Sequence, residues 1–326
     1  MAKLRAKSKE LKIQNRILSV GGGKGGTGKS LITASLGICL ADRGNNVLLI
    51  DADLGTANLH TFLGLDFPTL SLSDFVTKKK TAINSIISKT GIPKLKLISG
   101  AKDMIGMANL SYGQKVKILN NIRTLNYEYI LIDLGPGTSF NVLDFFLISH
   151  SGILVTSPEP TSIENTYRFM KSLLFRYLRN EVSQKVVRSI IDKGVRQKDG
   201  HTFETVFDLL DVIERLEPHL GTTIESYLST LDIKLIVNQA RGTRDRMVAQ
   251  NLALATKKYF GIPIHFLGSV SYDNNVREGL LQRAPLTAYY PYSKIFEELI
   301  EITQKIWPRE QLELDLSHDH RTPAAQ

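Results

Sequence analysis

Gly22-Gly23-Lys24-Gly25-Gly26-Thr27-Gly28-Lys29-Ser30 is the stretch that decides how the rest of the chain is read. An apolar run, Ile17-Leu18-Ser19-Val20, precedes it, and a helical pattern, Leu31-Ile32-Thr33-Ala34-Ser35-Leu36-Gly37-Ile38, follows it. Strand, glycine-rich loop and helix, in that order, form the context in which such a loop cradles phosphate. The glycines let backbone N–H groups turn inward around a triphosphate, and the helix N-terminus adds its positive dipole end. On this reading the loop backbone at Gly23, Gly25, Gly26, Thr27, Gly28 and Leu31 contacts the nucleotide. Lys29 reaches the β- and γ-phosphates, and the Ser30 hydroxyl ligates Mg²⁺. A second lysine, Lys24, stands inside the loop, where phosphate binding alone has no need of one.

Working outward, short apolar runs recur at 17–20, 47–51, 95–99, 129–133, 153–157, 233–237 and 266–270. Near-continuous hydrophobicity over so few residues marks strands buried on both faces. Helical patterns at 29–43, 111–126, 139–150 and 243–259 alternate with them. The expected fold is α/β: a doubly wound, mostly parallel sheet flanked by helices, with ligands at the carboxyl ends of the strands. One connection breaks the rhythm, because residues 158–232 far exceed the ~30 residues of an ordinary βαβ unit. There, 162–195 reads as one long or broken helix and 203–228 as one or two more, giving a helical insertion at about 170–230. The phosphate-loop domain is placed at 16–307, with a basic arm at 1–15 and a polar, acidic, disordered tail at 308–326.

Two further strand ends are acidic. Asp51-Ala52-Asp53 closes the run Val47-Leu48-Leu49-Ile50, and Asp133-Leu134-Gly135-Pro136-Gly137 closes Tyr129-Ile130-Leu131-Ile132. Beside a phosphate loop these carboxylates divide the work. Asp51 steadies Mg²⁺ through its water shell, Asp133 lies close to the metal, and Asp53 orients or deprotonates the attacking water. Gly135 and Gly137 let the backbone approach the γ-phosphate and move after hydrolysis.

These motifs together resemble the MinD/ParA family of deviant Walker A ATPases, whose loop pattern is K-G-G-x-G-K-[ST]. Asp51-Ala52-Asp53 is similar to the family's switch I and Asp133-Leu134-Gly135-Pro136-Gly137 to its switch II. Ser157-Pro158-Glu159-Pro160-Thr161-Ser162-Ile163, Leu235-Ile236-Val237-Asn238 and Leu267-Gly268-Ser269-Val270-Ser271-Tyr272-Asp273 resemble the MinD-like regulators of flagellar number, the FlhG/FleN type. The resemblance implies an ATP- and Mg²⁺-dependent P-loop ATPase in which two subunits close face to face and Lys24 reaches the partner's phosphates. It further implies that Asn238 reads the adenine edge, that the loop at Ser271 and Asp273 closes over the base, and that Asn58 belongs to switch I. The implied function is a dimerising switch that governs placement or number of a cellular machine, flagella among the candidates. A ParA-like ATPase that coats DNA as an ATP dimer is the alternative.

Composition sets the remaining bounds. The chain has 326 residues, 42% hydrophobic and 22% charged, which fits a globular protein with a sizeable core. Its lone cysteine, Cys39, reads as a buried hydrophobe and cannot hold an iron–sulfur cluster or an internal disulfide, so a cytoplasmic location is expected. The net charge of +9 leaves DNA or a membrane surface open as partners. The apolar stripe Ile295, Phe296, Leu299, Ile300, Ile302, Ile306 and Trp307 faces Glu297, Glu298 and Glu301, so it reads as a helix packed on the sheet rather than on lipid. Tyr289-Tyr290-Pro291-Tyr292 reads as packing. The insertion is basic from Arg168 to Lys198 and acidic from Glu204 to Glu217. It reads as a helical hairpin whose charges pair internally, with a docking face for an unknown protein partner as the sharper alternative.

Overall fold

A computed structural model describes residues 16–306, except 55–56, 67, 78–81, 101–109, 150, 183–184, 197–204, 218–219, 283 and 289–292. The basic arm, the acidic tail, Trp307 and the tyrosine cluster 289–292 lie outside the described residues. The strands are β1 (Arg16–Gly21), β2 (Val47–Ala52), β3 (Ser88–Lys89), β4 (Leu95–Ile98), β5 (Tyr129–Leu134), β6 (Ser151–Thr156), β7 (Ile233–Ala240) and β8 (Ile264–Ser271). They form one sheet in the order β3-β4-β2-β5-β1-β6-β7-β8, parallel except for the edge strand β3. β3 has only Ser88 and Lys89 and pairs through its backbone alone, so no apolar run announces it.

Helices cover both sheet faces, and that is why the strands read as continuous apolar runs. Along β2, Leu48 and Ile50 face one core while Val47 and Leu49 face the other. The second core is closed by α1 (Lys29–Asp42), the short α2 (Leu59–Phe62) and, at the end of the chain, α12 (Lys294–Ile306). The first is closed by α3 (Leu72–Val76), α4 (Tyr112–Ile122), α5 (Phe140–Leu147), α6 (Pro160–Glu181), α7 (Lys185–Arg196), α8 (Val206–Leu216), α9 (Leu220–Ser229) and α10 (Thr243–Phe260). The eight-residue α11 (Asn274–Leu281) stands at the carboxyl edge. α12 packs as expected, with Ile295, Leu299, Ile302 and Ile306 buried against β8 and α1. Cys39 is buried in α1. The short helices α2, α3 and α11 are absent from the sequence reading because so few residues carry no measurable period.

The insertion comprises the distal part of α6 with α7, α8 and α9. The helical run breaks at Val182, which is extended (ψ 124°) and accepts the Arg188 Nε at 2.6 Å. α8 restarts on a capping box in which Thr205 and Asp208 satisfy each other's backbone N–H. Its charges pair internally only in part. Arg179 meets Asp192 of α7 at 2.6 Å. Arg176 instead turns to Asp144 of α5, with Nε and Nη2 at 2.6 and 2.7 Å from its two oxygens. Lys115 of α4 binds the same carboxylate. An expectation of helix-to-helix pairing inside the hairpin therefore needs correcting: Arg176, only 12% exposed, is anchored to the parent domain.

Burial by itself pushes the Asp144 carboxyl up, but the hydrogen bonds from Arg176 and Lys115 outweigh it and hold the group below the usual carboxylate range. A depressed folded value means stability that is present above the unfolded value and lost as pH falls through the folded one, below about pH 4. Removing the carboxylate strands two cations whose side chains are 12% and 7% exposed. Asp144→Ala should therefore cost about 3–5 kcal/mol in urea denaturation at neutral pH. The penalty should shrink as the wild type is acidified below pH 4. A loss under ~1 kcal/mol would show that the three-charge cluster is not structural.

Candidate functional site

The loop after β1 is shaped by close approaches that only glycine permits. A Cβ on Gly22 would lie 2.6 Å from the Val155 carbonyl oxygen, and one on Gly23 2.0 Å from that of Asn165 in α6. Gly23, expected to contact nucleotide through its backbone, also seats the loop closely on α6. Gly26 and Gly28 take left-handed conformations (φ 79° and 86°), and Gly28 caps α1. A Cβ on Gly28 would also fall 2.1 Å from the Asn238 amide nitrogen. Such alternation turns consecutive N–H groups toward one centre and aims the first turn of α1 at the same point.

Sheet order brings the charged groups together under this loop. β5 lies between β1 and β2, and Asp51 sits directly across from Asp133 in the parallel register. Both carboxylates are 1% exposed. Burial, followed by the Asp133 charge, drives Asp51 well above the usual carboxylate range, although the backbone N–H groups of Leu59 and Asp53 hydrogen-bond it. Burial pushes Asp133 up to about 6, against hydrogen bonds from Ser30 and Thr33 and the Lys29 charge. Burial also lowers Lys29, which the Asp133 and Asp53 charges partly counter. Its Nζ bonds the Lys24 carbonyl at 3.3 Å. The Asp53 carboxylate lies against the switch II backbone, where a Cβ on Gly135 would be 3.1 Å from Oδ1.

Such a set suits a cation delivered with a polyphosphate. Among the described residues no group of three or more His, Cys, Asp or Glu is disposed to hold a metal alone. Mg²⁺ is characteristically held by one or two carboxylates plus substrate phosphates, keeping several waters. The buried carboxylates and the Ser30 hydroxyl fit that group.

Beyond the loop opens a cleft of about 610 Å³, within the ~300–1,000 Å³ usual for small-molecule sites. Gly25, Gly26, Gly28, Lys29, Ser30, Leu31, Asp53, Asn58 and Asn238 line it, as do Ser271 and Asp273. Thr27 is buried beneath the loop, and Gly23, Gly135, Asp51 and Asp133 do not reach the cleft wall. Several expected base contacts are already engaged. Asn238 donates to the Thr27 carbonyl at 2.8 Å, Ser271 binds Glu298 of α12 through N–H and Oγ at 2.7 Å each, and Asp273 accepts from Ser293 at 3.1 Å. Sequence reasoning missed Phe62, Gln239, Tyr272, Val276, Arg277 and Leu281 on the wall. Phe62, Val276, Arg277 and Leu281 come from short helices, and the one signal within reach was the position of Gln239 beside Asn238.

Lys24 stands apart from this set. Its Nζ reaches Glu159 at 2.7 Å and Thr161 at 3.0 Å, at the start of α6. The side chains of the pair are 37% and 60% exposed, so the contact is worth at most ~1 kcal/mol and is readily exchanged.

Residues 18–286 match the family model of the CobQ/CobB/MinD/ParA nucleotide binding domain, and the chain belongs to that family. Over 297 residues it is 23% identical to the antiactivator FleN of Pseudomonas aeruginosa, covering 90% of this chain and 87% of that protein. It is 29% identical over 228 residues to the septum site-determining protein MinD of Helicobacter pylori, covering 68% and 76%. The fold matches MinD of Pyrococcus horikoshii complexed with Mg-ADP, with a TM-score of 0.61 at 24% identity, covering 92% and 98%.

The glycine geometry separates two neighbouring substitutions. Gly25 has open space for a Cβ, with Pro136 at 4.0 Å, whereas Gly28 has neither the torsion nor the room. Gly28→Ala should lower nucleotide-free stability by about 1–3 kcal/mol, while Gly25→Ala leaves the melting curve in place. Equal melting of the two would mean that the loop is not held as described.

Proposed function

We propose that this family member is a Mg²⁺-dependent ATPase acting as a dimerising switch. The observation that carries the reading is the division of the two loop lysines. Lys29 is buried and feels the charges of Asp133 and Asp53, whereas Lys24 stays on the exposed rim. Lys29 and the loop N–H groups bind and orient the phosphates, while Ser30, Asp51 and Asp133 hold Mg²⁺. The metal, when bound, neutralises charge on the phosphate oxygens. Asp53, beside the mobile glycines of switch II, positions the water and takes its proton. Lys24 exchanges Glu159 for the partner's phosphates, so the charge that favours the transition state is complete only in the dimer. Asn238 leaves Thr27 to read the adenine edge, and Asn58, Ser271 and Asp273 border the base and ribose side of the cleft.

The likeness to FleN supports control of number or placement of a cellular machine, flagella foremost, through a client that docks on the insertion. The protein works in the cytoplasm, in its ATP state as a homodimer. ATP-dependent, salt-sensitive binding to DNA of arbitrary sequence would instead place it with the partitioning ATPases.

Lys24→Ala should keep ATP binding in calorimetry yet lose ATP-driven dimerisation and at least ~100-fold in turnover. Asp53→Ala should elute as a dimer with ATP, because hydrolysis no longer releases it. Normal turnover in the first variant, or a monomeric ATP-bound second, would overturn the two-subunit mechanism.

A further inference from the structure

In a regular strand Asn238 and Gln239, being consecutive, would point to opposite faces of the sheet. Here they do not. The pairing of β7 with β8 slips after Val237: Val237 faces Ser269, but the next partner pair is Ala240 with Ser271, leaving one extra residue in β7. The residue in the bulge is Gln239, and its φ is +63°. Bulges of this left-handed kind ordinarily place glycine there, because a Cβ is disfavoured. The strained residue makes a specific contact. Its Nε2 donates to the Gly26 carbonyl at 3.1 Å, while Asn238 donates to the adjacent Thr27 carbonyl at 2.8 Å.

We infer that Gln239 is a positioning residue of the phosphate loop, one half of a double amide clamp on the Gly26 and Thr27 carbonyls. Drawing two consecutive carbonyls toward β7 leaves the loop N–H groups turned to the phosphate. The doubling has a purpose that a single amide cannot serve. When Asn238 leaves Thr27 for the base, Gln239 still holds Gly26, and the loop keeps its shape while the nucleotide enters. The left-handed torsion is retained because only the bulge aims both amides at one loop; a torsional outlier beside a binding site is where such strain is expected. The inference rests on reading the cleft as a nucleotide site.

Calorimetric titration of full-length protein with Mg-ADP and with Mg-pyrophosphate tests it, using wild type, Gln239→Gly and Gln239→Met. Wild type reads the site itself, and without binding there the clamp has nothing to hold. If the site binds, both variants should weaken ADP and pyrophosphate by the same factor, roughly three- to tenfold for one lost hydrogen bond. Without ligand, the Gly variant should melt at or above wild type, since glycine relieves the torsion, and the Met variant below the Gly variant. Unchanged affinities would overturn the clamp. So would weaker ADP with unaffected pyrophosphate, which would make Gln239 a base contact. A Gly variant that melts well below wild type or fails to fold would reduce Gln239 to a structural strut.

Discussion

Asp51 and Asp133 face each other across adjacent parallel strands, both buried and both under the loop that ends in Lys29. Like charges in register oppose folding, and desolvation adds to the cost. The arrangement persists because sheet order leaves no other geometry: β5 between β1 and β2 brings two acidic strand ends to the root of one glycine loop. A divalent cation carried on a polyphosphate would relieve this electrostatic tension, and the glycine torsions leave room for a polyphosphate.

The same strand end is coupled mechanically to the helices around it. α5 begins just past Gly137 and is capped by Ser139, whose hydroxyl accepts the Val142 N–H. Little more than one turn later, Asp144 fastens α5 to Arg176 of α6 and to Lys115 of α4. The loop after β5 is therefore tied by one short helix to α4 and to α6, whose distal part belongs to the insertion. Physical continuity of this kind is what a nucleotide state would need in order to be felt at the insertion.

Much of this was legible in the sequence because it is local. β1, β2, β5, β6 and β7 are runs buried on both faces, and the loop, the acidic strand ends and the α12 stripe declare themselves within a few residues. What escaped is long-range or unperiodic. Nothing in the sequence joins Arg176 to Asp144, which are brought together only by the packing of α5 on α6, so the insertion's charges were matched to their sequence neighbours instead. That Gly23 packs against the Asn165 carbonyl is likewise invisible in the sequence. Gln239 is indistinguishable from any strand glutamine until the bulge turns it. The cleft wall at Phe62 and Leu281 comes from elements too short to show a period.

That the site is finished by a second subunit is tested most directly by turnover per chain as a function of protein concentration, at saturating Mg-ATP. A lysine supplied in trans predicts a specific rate that climbs steeply from dilute protein and levels off once dimers dominate. A specific rate independent of concentration, down to conditions where sedimentation shows only monomers, would contradict it.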